Sequence, residues 1–226
     1  MRKLIAFLVL LLVLVAVLDR VAVTGVQREI AAQAAAKYDL AVPPEVTIEG
    51  IPFLTQAIAG RYEKVDVTAG RMTVAGVALS SVAFTLYGVT ARLEDLVLNP
   101  ERVDMRAERV EGAVVVPVAT LNQRAPRGVK VSVEGGALSV KGEITVLGRQ
   151  VPAEATMKVR VAEGGLQLVP EKVTLGGGIA VPDPERFLSY RVPIGKLPYN
   201  LKLTDVQAVP EGLRISGTAS NVPLRG

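Results

Sequence analysis

Three hydrophobic rhythms succeed one another along the chain. Leu4 to Leu18 is an unbroken apolar run directly behind Arg2-Lys3. From Asp19 to Leu40 the chain is Ala-rich, and Val23, Val26, Ile30 and Ala34 recur at the spacing of one helix face. That spacing predicts a helix of four to five turns, with Asp19 as cap or first-turn acid and Pro43-Pro44 blocking its continuation. Beyond Pro44 the period falls to two, the signature of half-buried strands.

Alternation is visible in Val65-Val67, Met72-Val74, Val82-Phe84-Leu86, Val129-Val131-Val133, Leu138-Val140 and Ile144-Val146. It continues through Ala155-Met157-Val159-Val161, Leu166-Leu168, Val173-Leu175, Leu201-Leu203 and Leu213-Ile215. Short spacers such as Gly135-Gly136 and Gly164-Gly165 suit antiparallel hairpins, whereas parallel crossovers need a dozen or more residues. Three Pro-led segments, Pro52 to Ala59, Pro117 to Arg124 and Pro184 to Tyr190, predict short helices, because Pro is tolerated in a first helical turn. The expected class is α+β: a long N-terminal helix packed on one long, highly curved antiparallel sheet, with short helices at its ends. No composition shift marks a linker, so residues 19–226 are expected to form a single domain.

The apolar run has the form of an export signal, a basic flank followed by a hydrophobic stretch. Its charge asymmetry places the N-terminus in the cytoplasm and the body outside. Fifteen helical residues reach about 22 Å, short of the ~30 Å hydrocarbon core, which suits a signal peptide. No small-x-small cleavage site precedes Asp19, which suits a retained anchor. Residues 1–18 are therefore a signal peptide or a signal anchor.

Composition narrows the chemistry. The 226-residue chain holds no Cys and no His, which removes thiolate and imidazole catalysis and the ligands preferred by zinc, copper and iron. The net charge of +4 includes Arg2 and Lys3, and there is no Trp and no long basic run, so nucleic-acid binding lacks its electrostatic and stacking signatures. Phosphate-binding Gly loops of the GxxxxGK and GxGxxG types are absent, and Gly176-Gly177-Gly178 reads as a turn. Ser139 and Lys141 sit two apart in an alternating strand, where such pairs are ordinarily exposed polar residues. Glu94, Asp95, Asp183 and Glu185 are the acids formally available to a carboxylate hydrolase, but sparse aromatics argue against a sugar-stacking cleft. The interleaved charges from Glu101 to Glu111 suit a solvated strand face with cross-strand pairs. No catalytic residue, metal site or cofactor is expected.

The segment IEGIPFLTQAIAGRY, Ile48 to Tyr62, followed by Val65 and Val67, resembles the signature of the LmeA-like phospholipid-binding family of actinobacterial envelope proteins. The matching positions are Gly50, Pro52, Phe53, Leu54, Thr55, Gln56, Gly60 and Tyr62. A second, supporting match is LPYNLKLTDVQAVPEGLRISGTA near the C-terminus. The resemblance implies an exported protein that binds phospholipid, supports assembly of lipomannan-type glycolipids, and folds like the tubular lipid-binding domains around an apolar groove. It supplies no catalytic residue.

The candidate groove residues are Phe53, Leu54, Ile58, Val82, Phe84, Leu86, Phe187 and Leu188. Each either faces acyl chains or fills the core, since alternation names a face and not its contents. The leading expectation is a non-enzymatic module that binds or transfers phospholipid at the outer face of the cytoplasmic membrane. The alternative is a structural adaptor with a filled core, serving an envelope glycosyltransferase or transporter.

Overall fold

The computed structural model describes residues 2–74, 76–91, 105–146, 149–162, 165–176, 178–184, 190–193 and 200–224. They group into two compact units, one of Met1–Gly70, Ala83–Glu111 and Ala219–Gly226, the other of Arg71–Val82 and Gly112–Thr218.

In the first unit, the apolar run and the Ala-rich segment form one continuous helix, α1 (Arg2–Tyr38). Nothing between Leu18 and Asp19 breaks a helix, and the chain turns only at Asp39, where φ is +49°, ahead of Pro43-Pro44. Lys37 in the last turn complements the helix dipole. Strand β1 (Glu45–Glu49) buries Val46 and Ile48 and turns its acids outward. It pairs antiparallel with β2 (Arg61–Ala69), Val46 opposite Val67 and Ile48 opposite Val65. The short helix α2 (Phe53–Ala59) lies between them in sequence. The core gathers Val23 of α1 with Val46, Ile48, Phe53, Ala57, Tyr62, Val65, Val89 and Ala107.

Strand β5 (Ser81–Thr90) bends at Gly88, where φ is +59° and any Cβ would lie 2.4 Å from the Glu108 carboxylate. The break resets alternation, so Leu86 and Val89 both pack on this core despite their opposite parity.

The second unit opens with the hairpin β3 (Met72–Val74) and β4 (Val77–Leu79). After β6 (Arg106–Pro117), helix α3 (Val118–Arg124) is fixed by side chains. Thr120 Oγ1 donates to the Ala78 carbonyl at 3.0 Å, while Asn122 accepts from the Val131 N–H at 2.8 Å and donates to the Val131 carbonyl at 2.7 Å. Strands β7 (Lys130–Glu134), β8 (Ala137–Val146), β9 (Arg149–Ala162), β10 (Gly165–Leu175) and β11 (Ile179–Ala180) make an antiparallel meander, and β12 (Tyr190–Pro193) also pairs with β10. β13 (Lys202–Val209) and β14 (Gly212–Pro223) form the C-terminal hairpin.

The α+β class with a long N-terminal helix is as expected. Among the described residues the strands form three sheets instead of one: β1-β2-β5-β6-β14-β13, β11-β10-β9-β8-β7 with β12, and the β3-β4 hairpin. Period-two patterns locate strands but carry no record of which strands share a ladder. Helices over Pro52–Ala59 and Pro117–Arg124 are present with Pro at the N-cap rather than inside the first turn. The third expected helix falls largely outside the described residues, and Tyr190 begins a strand.

Candidate lipid-binding surfaces

The Pro-Phe-Leu-Thr-Gln segment is built by two side chains that satisfy backbone. Asp19 of α1 is 2% exposed and accepts from the Leu54 N–H at 2.8 Å, closing the N-terminal turn of α2 from 35 residues away. The Leu54 N–H, and then the Arg20 guanidinium, hold the Asp19 carboxyl below the usual carboxylate range. Gln56 donates Nε2–H to the Glu49 carbonyl at 3.0 Å and accepts from the Glu63 N–H at 2.9 Å, tying α2 to the ends of β1 and β2. Gly50, with φ of +104°, leaves room for that amide, because a Cβ there would sit 2.3 Å from Gln56 Nε2.

Within this frame the predicted site residues part company. Phe53 is 3% exposed and stacks on Tyr62 with ring centroids 6.0 Å apart, so it belongs to the core. Burial pushes the Tyr62 phenol pKa up. Leu54 is half-buried against the same core, and Ile58 projects outward at 82% exposure. Val82, Phe84 and Leu86 are all half-buried along β5. Phe187 and Leu188, like Glu94, Asp95 and Glu185, lie outside the described residues.

A larger apolar surface lies in the second unit. Register aligns Val133, Leu138, Met157 and Pro170 across β7 to β10, and beside them Val131, Val140, Ala155 and Val173. Val159 faces Leu168 and Val161 faces Leu166 further along. The opposite side of the sheet is polar, with Lys130 beside Lys141 and Lys141 beside Glu154. Of the apolar side, Leu138 and Leu166 are buried and Val131, Val133, Met157, Val159 and Leu168 partly covered; Val206 and Leu213 of β13 and β14, with the partly covered Leu203 and Ile215, belong to the same apolar cluster. Ala155 to Val161 spans about 20 Å at 3.3 Å per residue. One leaflet of hydrocarbon is about 15 Å thick, so the stripe is long enough for an acyl chain. The period-two pattern identifies these positions as strand, but their partial burial is set by packing with β13, β14 and α3, which the pattern does not record.

The polar side offers little chemistry. Lys141 Nζ meets Glu154 at 2.9 Å, and this carboxylate raises the lysine pKa, opposite to what a general base needs. Ser139, expected to be exposed, is 3% exposed, and its hydroxyl has no hydrogen-bond partner among the described residues. Among the described residues no group of three or more acids could hold a metal ion. In the charged stretch before Gly112, Glu108 pairs with Arg61 at 2.9 Å, and the Arg109 guanidinium lies 4.2 Å from the Tyr87 ring centroid. These contacts account for the charges as a strand face; residues 101–104 lie outside the described residues.

A family model described as LmeA-like phospholipid-binding matches residues 17–218. The chain belongs to the LmeA-like phospholipid-binding family. Neither the curated proteins nor the solved structures compared with it gave a match. In this LmeA-like chain the second sheet presents an apolar face, some of whose side chains are only partly buried. The family match begins at Val17, at the end of the apolar run. The helix containing that run, α1, is long and apolar enough to cross a membrane, with a mean hydropathy of 2.8 over its best window.

Proposed function

We propose that this LmeA-like protein is an exported, non-catalytic phospholipid-binding protein, retained at the outer face of the cytoplasmic membrane by the apolar run of α1. Acyl chains lie on the apolar face of β7 to β10, along Val133, Met157, Val159 and Leu168, with the headgroup at the polar rim. Leu54, Ile58, Val82, Phe84 and Leu86 are further candidates for lipid contact, whereas Phe53 serves the core. Each methylene taken from water contributes about 0.8 kcal/mol, so affinity grows with chain length and selectivity among chains is modest. The role of such binding is support of lipomannan-type glycolipid assembly in the envelope.

The observation that carries this reading is the half-covered apolar face of the second unit in a chain of a phospholipid-binding family. A contiguous apolar face left partly open marks a binding surface more often than scattered apolar side chains do. The test offers a self-quenched fluorescent phospholipid to the full chain held in an amphipathic polymer. Uptake with dequenching is expected. Val159→Asp and Leu168→Asp, each checked for retained fold by circular dichroism, should lose it; absence of uptake by the parent chain would refute the reading.

A further inference from the structure

We propose that α2 and the turn before it form a second membrane contact, with Ile51 and Ile58 seated among the lipids of the leaflet from which α1 emerges. This rests on the reading of α1 as a retained anchor, and it concerns how the body sits on the bilayer, not what the second sheet binds.

The outward face of α2 is apolar where a surface helix is ordinarily polar. Phe53 and Ala57 point into the core, and the exposed residues from 51 to 59 are Ile51, Pro52, Thr55, Ile58 and Ala59, with no charge among them. Ile51 is 83% exposed and Ile58 82%. No described element covers either side chain.

Their position supplies the occupant. Every residue from Leu4 to Leu18 is exposed, and the first buried residue of α1 is Asp19, bonded to the Leu54 N–H at 2.8 Å. Ile58 lies one helical turn, about 6 Å of rise, beyond Leu54. Ile51 precedes Leu54 by three residues, at most about 11 Å of chain. Both isoleucines therefore stand within about 11 Å of chain from Leu54, whose N–H binds the first residue past the apolar run.

The length of the run favours the contact. Fifteen residues supply about 22 Å against ~30 Å of hydrocarbon, so with Arg2 and Lys3 held at one interface the Asp19 end falls short of the other. A short span is accommodated by thinning the bilayer or drawing the flanking structure inward. An uncompensated carboxylate would resist being drawn in, but the Asp19 charge meets the Leu54 N–H and the Arg20 guanidinium. The foot of the body can thus approach the hydrocarbon, and the side chains it presents there are Ile51 and Ile58.

The chain has no cysteine, so Ile58→Cys in the full chain gives a single labelling site. Labelled with a polarity-sensitive fluorophore and placed in vesicles of equimolar phosphatidylcholine and phosphatidylglycerol, it should show blue-shifted emission, loss of quenching by aqueous iodide, and quenching by lipids carrying a shallow nitroxide. Ile51→Cys should behave alike. Water-like emission with iodide quenching would overturn the proposal, as would shielding from iodide without nitroxide quenching, which would mean a protein covers the patch. Phospholipid uptake measured on the unlabelled parent chain separates the two claims: uptake by the parent with a water-exposed label sinks only the membrane seat, and a lipid-seated label with no uptake by the parent sinks only the binding function.

Discussion

Asp19 and Leu54 meet through a 2.8 Å hydrogen bond that joins the first residue past the apolar run to the N-terminal turn of α2. A carboxylate accepting a backbone N–H at a helix start satisfies a donor that would otherwise have no partner and complements the helix dipole. The bond fixes where the long helix enters the body, and with it the placement of the Pro-Phe-Leu-Thr-Gln segment.

This bond makes stability depend on pH in a definite direction. The folded-state pKa of Asp19 lies below its ordinary value of 3.8. Its contribution is therefore fully present above that value and is lost as pH falls through the depressed folded pKa. Thermal melts of the full chain in detergent should show the parent losing more stability than Asp19→Asn as pH drops below 4, and Asp19→Ala should melt lowest at neutral pH. Identical acid profiles for parent and Asp19→Asn would contradict this.

Phe53 is a core residue. Phe53→Ala should cost about 3–5 kcal/mol, as for a buried aromatic leaving a cavity, with Tyr62 losing its stacking partner. Urea unfolding followed by circular dichroism measures it. A cost under about 1 kcal/mol would place Phe53 on an open surface.

Ser139 behaves oppositely. Its hydroxyl is buried with no partner among the described residues, so Ser139→Ala should leave stability unchanged or raise it by up to about 1 kcal/mol, with phospholipid uptake unaltered. A loss of uptake in a normally folded Ser139→Ala protein would reveal a role for this hydroxyl that the ion-paired Lys141 does not suggest.

Much of this fold is written in residue spacing. The helical periodicity of Val23, Val26 and Ile30, the alternation along β8, β9 and β10, and the Pro-led starts of α2 and α3 reflect local geometry, which neighbouring residues dictate. Strand β1 escaped notice because five residues following two prolines give too short an alternation to stand out. The division into separate sheets depends on ladders between residues far apart in sequence, such as those placing β14 beside β6. For the candidate site, spacing identified the apolar faces but not their exposure. Phe53 and Ile58 share one short motif, yet one is buried and the other bare, because only packing against Tyr62 and Val23 decides which face of α2 turns inward.

The central claim, that acyl chains lie on the apolar face of β7 to β10, is tested most directly by photo-crosslinking. The full chain in vesicles would be irradiated with a phospholipid bearing a diazirine on its acyl chain, and the adducts mapped by peptide mass spectrometry. The account predicts adducts on Met157, Val159, Leu168 and their neighbours, in addition to those on the membrane helix. Adducts confined to Leu4 to Leu18 would contradict it, leaving the second sheet as a scaffold rather than a lipid surface.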